Sequence, residues 1–363
     1  MSNYQVLVNP QTFINLNSYL EQLKAGYGAG TYLDNLLKHS DIDLLSTAKF
    51  IELLLRTKRP QIFAEFEVYG NGIDWNQTEL SLLGDISIAV PVTVYDNGKH
   101  RQPDIHDEPF AATLVFTSGA LLRNGNNITP VDWAEVTLDG ALNSDGYYRL
   151  YERRLLPAFS YINESAKSRG KMALITIPGL GCGQFAGIFR GQLGTQLQQA
   201  LIRFFQTHGR KFANIRAVYY DPYQECENDR TEIEGISLLV RPLTKGNSHK
   251  PQLCKPQAYA EAGDNFTDCE LFSFVAWDHV SWPGNDFYGG ARSTDDGVKA
   301  AATNTMMVMT GIEGIYHPHT FQYCPPATYS TWKDAISRHT LQLNVRDNLS
   351  ILPPPDKAMR ARN

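Results

Sequence analysis

A glycine-rich segment in the middle of the chain constrains the fold more than any other feature. Gly181–Gly187 has the sequence Gly-Cys-Gly-Gln-Phe-Ala-Gly, follows the apolar run Met172–Ile177 and precedes a helical pattern that begins near Ile188. This order predicts a strand, a loop and a helix that hold a diphosphate, because glycines let backbone N–H groups approach phosphate oxygens and a helix N-terminus adds a positive dipole. A strand-to-helix turn without a ligand is the alternative that the glycines leave open.

The loop matches neither of the two common phosphate-binding motifs. It lacks the Gly-Lys-Ser/Thr ending of a P-loop. A dinucleotide fingerprint placed on Gly181, Gly183 and Gly187 has a last gap that is too long, and no acidic residue closes the next strand about 20 residues later. These departures weigh against a dinucleotide oxidoreductase, which stays open as an alternative.

Composition limits the partners of the chain. Its 363 residues suffice for one large domain or two ordinary ones. The formal net charge of -5 gives no global attraction to nucleic acid. The five cysteines form no Cys-x-x-Cys pair, which indicates free thiols and argues against structural zinc. No apolar run approaches the length of a membrane span, and no secretory signal is visible. We therefore expect a soluble protein with no metal, cofactor, nucleic-acid or membrane partner.

The pattern of apolar residues divides the chain into three parts. Residues 1–60 are predicted to be helical, residues 61–345 to form an α/β catalytic core, and residues 346–363 to form a loose tail. Strands that alternate with helices indicate an α/β layered sheet. The predicted strands are Ile62–Val68, Ile86–Val94, Ala111–Phe116, Met172–Ile177, Ile215–Tyr220, Ile236–Val240 and Leu271–Trp277, and the main predicted helices are Tyr147–Lys167 and Asp295–Thr310.

A second loop with glycines and acids follows the apolar strand Leu271–Trp277. Residues 278–296 contain several aspartates, Asn285 and the pair Gly289-Gly290. Ligands of open α/β sheets collect at the carboxyl ends of strands, so two such loops on neighbouring strands could hold one diphosphate from both sides. The aspartates and Asn285 also offer hydrogen-bond partners for a ribose and possible acid/base groups.

The two windows resemble the macrodomains of the poly(ADP-ribose) glycohydrolase type. Gly181–Gly187 is similar to their diphosphate loop, Gly-Cys-Gly-x-Phe-x-Gly, and Asn285–Gly290 with the acidic pair Asp295-Asp296 is similar to their catalytic loop. The spacing of Asp278, Asp286 and Asp296 also resembles the bacterial effector macrodomain MavL, an ADP-ribosyl hydrolase. The chain departs from the family pattern in having two glycines instead of three, Asp-Asp in place of Gln-Glu-Glu, and the diphosphate loop before the catalytic loop.

The resemblance implies a fold and an activity. The fold is a macrodomain-like mixed sheet flanked by helices, with the loop order rearranged and a helical N-terminal extension. The activity is removal of ADP-ribose from a modified protein side chain. The MavL resemblance points to arginine as the attachment residue, to ubiquitin as the modified protein, and to delivery into a host-cell cytoplasm without a signal peptide. A non-catalytic ADP-ribose-binding module is the alternative, and a scaffold in which both loops are plain turns is another.

The same resemblance implies a set of site residues. The catalytic candidates are Asp278, Asp286 and Asp296, although an acid in the first turn of a helix, as at Asp296 behind Ser293, is equally typical of capping. The implied ligand-binding residues are Gly179, Gly181, Cys182, Gly183, Gln184, Phe185, Gly187, Asn285, Tyr288, Gly289, Gly290 and Asp295.

Overall fold

A computed structural model describes residues 4–62, 68–124 and 128–354. The predicted strand Ile62–Val68 lies mostly outside these residues. The strands are β1 (Gln5–Val8), β2 (Ile86–Asp96), β3 (Ile105–Ser118), β4 (Thr137–Leu138), β5 (Ala141–Leu142), β6 (Met172–Pro178), β7 (Ile215–Asp221), β8 (Asp229–Ile233), β9 (Ile236–Val240), β10 (Cys269–Trp277), β11 (Ile315–His317), β12 (Gln322–Cys324) and β13 (Leu349–Ile351). The α-helices are α1 (Pro10–Lys24), α2 (Thr31–Leu37), α3 (Thr47–Arg56), α4 (Gln77–Gly84), α5 (Trp133–Val136), α6 (Ser144–Ser168), α7 (Leu193–His208), α8 (Asp295–Ala301), α9 (Thr305–Thr310) and α10 (Trp332–His339).

A nine-stranded mixed sheet organises the described residues. Its order is β13-β1-β2-β3-β10-β6-β7-β9-β8. The neighbours β3, β10, β6, β7 and β9 run parallel to one another, so their carboxyl ends meet at one edge of the sheet. The strands β10 and β6, which precede the two motif loops, are adjacent and pair from Cys269 with Met172 to Ser273 with Thr176. The expected mixed sheet flanked by helices is confirmed.

Alternate side chains of the strands enter two separate cores. On one face, Val115, Ile175 and Phe274 pack in a cluster with side chains of α6 and α7. On the other face, Leu114, Leu174 and Val275 pack in a cluster with side chains of α1, α3, α8 and α9. Because both faces are covered, the open edge at the strand ends is the part of the sheet that can receive a ligand.

The chain termini contribute strands to the sheet, which the predicted helical N-terminal region and loose tail did not include. The strand β1 lies between β13 and β2, so the first 60 residues are not a purely helical extension. The strand β13 pairs parallel with β1, and Leu352 N–H donates to Val8 O at 2.9 Å. The tail is therefore not loose over residues 349–352, because it covers the outer edge of β1. Residues 355–363 lie outside the described part of the chain.

The predicted helix Asp295–Thr310 is divided into α8 and α9. Asn304 accepts a hydrogen bond from Thr93 N–H at 2.7 Å, and Thr303 forms a bridge with Val94 of β2. These bonds to the sheet interrupt the helical ladder between the two helices. Gly311, with φ of 72°, ends α9 at the predicted position.

Candidate active site

The diphosphate loop, defined here as residues 179–187, follows β6 and is held from outside. The Tyr151 hydroxyl donates to Leu180 O at 2.6 Å and accepts from Ala120 N–H at 3.0 Å. Leu122 N–H donates to Phe185 O at 2.9 Å. Gly181 has φ of +72°, a conformation that side chains other than glycine rarely adopt. The loop after β3 and a tyrosine of α6 thus fix the path of the diphosphate loop.

Consecutive N–H groups of this loop remain available for an anion. Among the described residues, the N–H groups of Gly183, Gln184 and Phe185 have no hydrogen-bond acceptor. Gly183 and Gln184 are exposed, and a Cβ placed on Gly183 would meet nothing within 4 Å. Successive backbone N–H groups of this kind form a concavity that favours anions.

The helix dipole does not act on this loop as the sequence predicts. A 3-10 turn, Gln184–Phe189, forms the second half of the loop and extends beyond it, and α7 begins only at Leu193. Gly194 N–H, in the first turn of α7, donates to the Glu225 carboxylate at 2.6 Å. This carboxylate already occupies the position where a helix N-terminus would hold a phosphate.

The diphosphate loop also forms one wall of a cavity of about 580 Å³. The opposite wall comes from the loop after β3 and from Trp133 of α5. The lining residues are Leu122, Arg123, Asn124, Ile128, Thr129, Pro130, Trp133, Gly183, Gln184, Gly187, Ile188 and Arg190. The Cys182 thiol is buried below the loop, and burial raises its pKa well above the usual value, so it is a poor nucleophile.

The acid loop, defined here as residues 278–296, follows β10 and is held by its own carboxylates. Asp278 accepts hydrogen bonds from Val280 N–H at 2.7 Å and Ser281 N–H at 2.6 Å. Its other oxygen accepts from the Ser281 hydroxyl at 2.5 Å and from the Asn285 amide at 3.1 Å. Asn285 in turn accepts from Ile62 N–H at 2.7 Å. Asp278 and Asn285 thereby fix the first turn of the loop, and Asp278 is the half-buried member of the predicted acid triad.

Asp286 is buried and fixes the second half of the acid loop. It accepts from Ser293 N–H at 2.9 Å, from Thr294 N–H at 3.2 Å and from the Thr294 hydroxyl at 2.6 Å. A Cβ on Gly297 would lie 1.9 Å from one of its oxygens, so this carboxylate requires a glycine in the first turn of α8. Asp286 therefore has a structural role in this arrangement, whether or not it also meets a ligand.

Asp296 does not cap α8, contrary to the capping interpretation. The N-cap is Thr294, whose hydroxyl accepts from Gly297 N–H at 3.0 Å. Asp296 Oδ1 instead accepts from Gly284 N–H at 2.6 Å, and its buried Oδ2 has no hydrogen-bond partner among the described residues. Burial first, and then the negative charges of Asp278 and Asp286, raise the pKa of Asp296 well above its usual value. The arrangement favours a neutral carboxylic acid.

The remaining predicted ligand residues divide between surface and core. Gly289 and Gly290 are exposed. Tyr288 is fully buried, and its hydroxyl donates to Pro283 O at 3.0 Å, so it supports the loop from below. Asp295 accepts from Ala276 N–H at 2.8 Å and pairs with Lys299 at 3.0 Å.

The two loops approach each other at the sheet edge. The ring of Phe185, which is half-buried, lies 6.3 Å from the His279 ring, centroid to centroid. The Ser118 hydroxyl at the end of β3 donates to Asp278 O at 2.9 Å. Loops that are far apart in the chain therefore lie side by side, in the reversed order that the sequence indicates.

Comparison with known families agrees with this geometry. The family model described as macrodomain effector MavL matches residues 4–329. The chain belongs to the MavL macrodomain effector family. No curated protein matches the chain. Because the match starts at residue 4, it includes β1 and the N-terminal helices, and membership in this macrodomain family indicates an ADP-ribose-related function. Among its described residues, this MavL-family chain has no helix long and apolar enough to cross a membrane.

In this MavL-family macrodomain, a buried lysine that no sequence motif indicates lies beside the acid loop. Lys58 follows α3, and its Nζ donates to His279 O at 2.6 Å and lies 3.9 Å from the centroid of the Trp277 ring. Its partners lie more than two hundred residues away in the chain, so no local pattern marks it.

A buried charge network that no sequence motif indicates lies behind both loops. Arg154 of α6 pairs with Asp132 at 2.8 Å and with Asp85 at 3.1 Å, and His279 lies 3.5 Å from Asp132. Arg154 also donates to Gly119 O at 2.9 Å. The network links the loop after β3 to the acid loop.

Proposed function

We propose that this protein is an ADP-ribosyl hydrolase that removes ADP-ribose from a modified protein side chain. The observation that carries the proposal is the juxtaposition of two unlike loops at the ends of the adjacent strands β6 and β10. One loop presents backbone N–H groups that have no acceptor within the described part of the chain, and the other carries Asp278, Asp286 and Asp296. A diphosphate needs the first kind of group, and cleavage at a sugar carbon needs the second.

The proposed ligand position follows from these groups. The N–H groups of Gly183, Gln184 and Phe185 would hold the diphosphate, and the exposed Gly290, around which a Cβ would meet nothing within 4 Å, would leave space for the distal ribose. Asn285 and Asp278 are half-buried beside that space and could meet ribose hydroxyls without a change in the core.

The reaction needs a proton donor and a proton acceptor. The bond between the ribose anomeric carbon and the side-chain nitrogen breaks, water oxygen bonds to that carbon, and the leaving nitrogen takes a proton. Asp296, whose pKa is raised by burial and by neighbouring carboxylates, would supply that proton. Asp278, the more accessible carboxylate, would accept the proton of the attacking water. Asp286 would keep both in place through its bonds to Ser293 and Thr294.

An ADP-ribose-binding module without turnover is the second candidate. One observation favours it: the carboxylates of Asp278 and Asp286 are both engaged in hydrogen bonds within the acid loop. A binding module needs such bonds to shape the loop, but it does not need a buried carboxyl with an unpaired oxygen, which Asp296 provides.

Release of ADP-ribose from a protein modified on arginine tests the proposal. ADP-ribosylated ubiquitin is the first substrate, and a protein modified on glutamate compares the linkages. We expect turnover by the unmodified chain and its loss in Asp296→Ala, with ADP-ribose affinity retained in the variant. Tight ADP-ribose binding without release from any substrate would favour the binding module. Full turnover by Asp296→Ala would remove the proton-donor role.

A further inference from the structure

Lys58 is a buried lysine beside the acid loop that differs from the nearby Lys299 in the partners of its ammonium group. Its side chain is 3 % exposed, although an isolated buried ammonium group is costly. Among the described residues, its only hydrogen-bond acceptor is His279 O, while the Trp277 ring covers the ammonium group at 3.9 Å. Lys299, the other buried lysine at this edge, has a carboxylate partner in Asp295. Within the described residues, no carboxylate lies within 4.0 Å of the Lys58 ammonium group, so this group has no direct ion-pair partner there.

The backbone around Lys58 is joined to the acid loop along its first turn. Arg59 N–H donates to Val280 O at 2.8 Å, and Trp282 N–H donates to Arg59 O at 2.7 Å. The Trp282 indole donates to Lys58 O at 3.1 Å. This short parallel bridge between Arg59 and Ser281 keeps the Lys58 ammonium group directed at the His279 carbonyl.

The charges that face Lys58 come from two elements of the site. Asp278 of the acid loop and Asp296 of α8 are the carboxylates that act on its ammonium group, whereas burial disfavours its charged form. His279 lies against it, and behind His279 stand the opposite charges of Arg154 and Asp132. The balance lowers the pKa of Lys58 to about 7, mainly through burial.

We propose that Lys58 is a positioning residue of the acid loop, which holds the turn carrying Asp278 and supplies the positive charge that faces Asp278 and Asp296 during turnover. The proposal rests on the hydrolase function proposed above. A bound diphosphate adds negative charge at the same edge of the sheet. Without the Lys58 ammonium group, the carboxylates and the diphosphate would have no buried positive charge beside Asp278.

Two substitutions separate the charge from the hydrogen bond. Lys58→Gln keeps an N–H donor for His279 O but has no charge, and Lys58→Met removes both. We expect kcat for release of ADP-ribose to fall by about tenfold or more in each. We expect the dissociation constant for free ADP-ribose to stay within about threefold of the wild-type value, because Lys58 is buried below the ligand position. Lys49→Met, on the surface of α3, is the control and should leave both values unchanged.

The pH profile supplies a readout that a purely structural role would not move. Wild-type kcat should fall as pH rises through about 7, where Lys58 loses its proton. Lys58→Gln should lack this fall, and its kcat should stay low on both sides of that pH.

If Lys58→Gln keeps the wild-type kcat, or if kcat and ADP-ribose affinity fall together with the melting temperature, the proposal is overturned and the hydrolase function stands. If the wild-type chain releases no ADP-ribose, both proposals are overturned. If Lys58→Met does not fold, Lys58→Gln decides alone.

Discussion

The diphosphate loop and the acid loop lie side by side, but opposite means hold them in place. The diphosphate loop offers its carbonyl oxygens to outside donors, Tyr151 and Leu122, and keeps the N–H groups of Gly183–Phe185 available. In the acid loop, backbone N–H groups donate to Asp278 and Asp286, while one oxygen of Asp296 has no hydrogen-bond partner in the described ranges. A substitution that blocks the ligand-binding N–H groups of the diphosphate loop should therefore leave the fold intact. A substitution of an aspartate in the acid loop should change both the stability of the loop and its chemistry.

The largest expected difference between the two loops is the effect of substituting Asp286 in the acid loop. Asp286→Asn places an amide N–H₂ group or a neutral oxygen against the three donors at Ser293 and Thr294. We expect the free energy of unfolding to fall by about 2–3 kcal/mol, because hydrogen bonds to a charged buried group are lost. We expect turnover to fall by about 100-fold, because the acid loop is displaced. Chemical denaturation and initial rates measure the two effects.

Asp334→Asn is the matched control for that variant. Asp334 also accepts a backbone N–H, that of Ser330 at 3.1 Å, but it lies near the surface on α10. Its loss should cost no more than about 1 kcal/mol and leave turnover unchanged. An Asp286→Asn variant as stable as the wild type would show that the carboxylate does not hold the loop.

In the diphosphate loop, substitution of Gly183 should lower ligand affinity without lowering the stability of the fold. A Cβ at this position meets no neighbour, so Gly183→Val should keep the wild-type melting temperature. The side chain would stand over the N–H groups that are expected to receive phosphate, and ADP-ribose affinity should fall by about tenfold or more. Isothermal titration calorimetry measures the affinity. Gly28→Val, at another exposed glycine with open space around it, should change neither quantity. Undiminished affinity in a folded Gly183→Val variant would place the diphosphate elsewhere.

The sequence could predict the two loops because the strands before them carry a strong local signal. Met172–Ile177 and Leu271–Trp277 are continuous apolar runs, typical of parallel strands buried on both faces, and the structure extends each by no more than two residues. Strands β1 and β13 are only four and three residues long, so neither has a sequence pattern of its own, and each is defined by its pairing with neighbouring strands.

The roles of single residues depend on partners that no local pattern shows. The break between α8 and α9 arises from a bond between Asn304 and Thr93 of a distant strand. The Glu225 carboxylate occupies the N-terminus of α7, where the sequence predicts a phosphate, and Glu225 lies in the loop after β7. The same holds for Lys58, which reaches the acid loop from the N-terminal region. Sequence spacing identifies the acids in a loop, but it does not show which carboxylates accept hydrogen bonds from the backbone.

The smallest expected effect separates Asp296 from the other acids of its loop. Its pKa is raised above the unfolded value of 3.8, so the folded chain binds an extra proton and stability must fall as pH rises from about 3.8 towards the folded pKa. Asp296→Asn cannot ionise and lacks this fall. Its melting temperature should therefore exceed that of the wild type by about 2 °C or more at neutral pH, with a difference that shrinks towards pH 4. Asp34→Asn, at an exposed position of α2, corrects for general charge effects. A difference that is constant with pH, or that grows towards acid, would mean that Asp296 is charged in the folded protein and cannot serve as the proton donor.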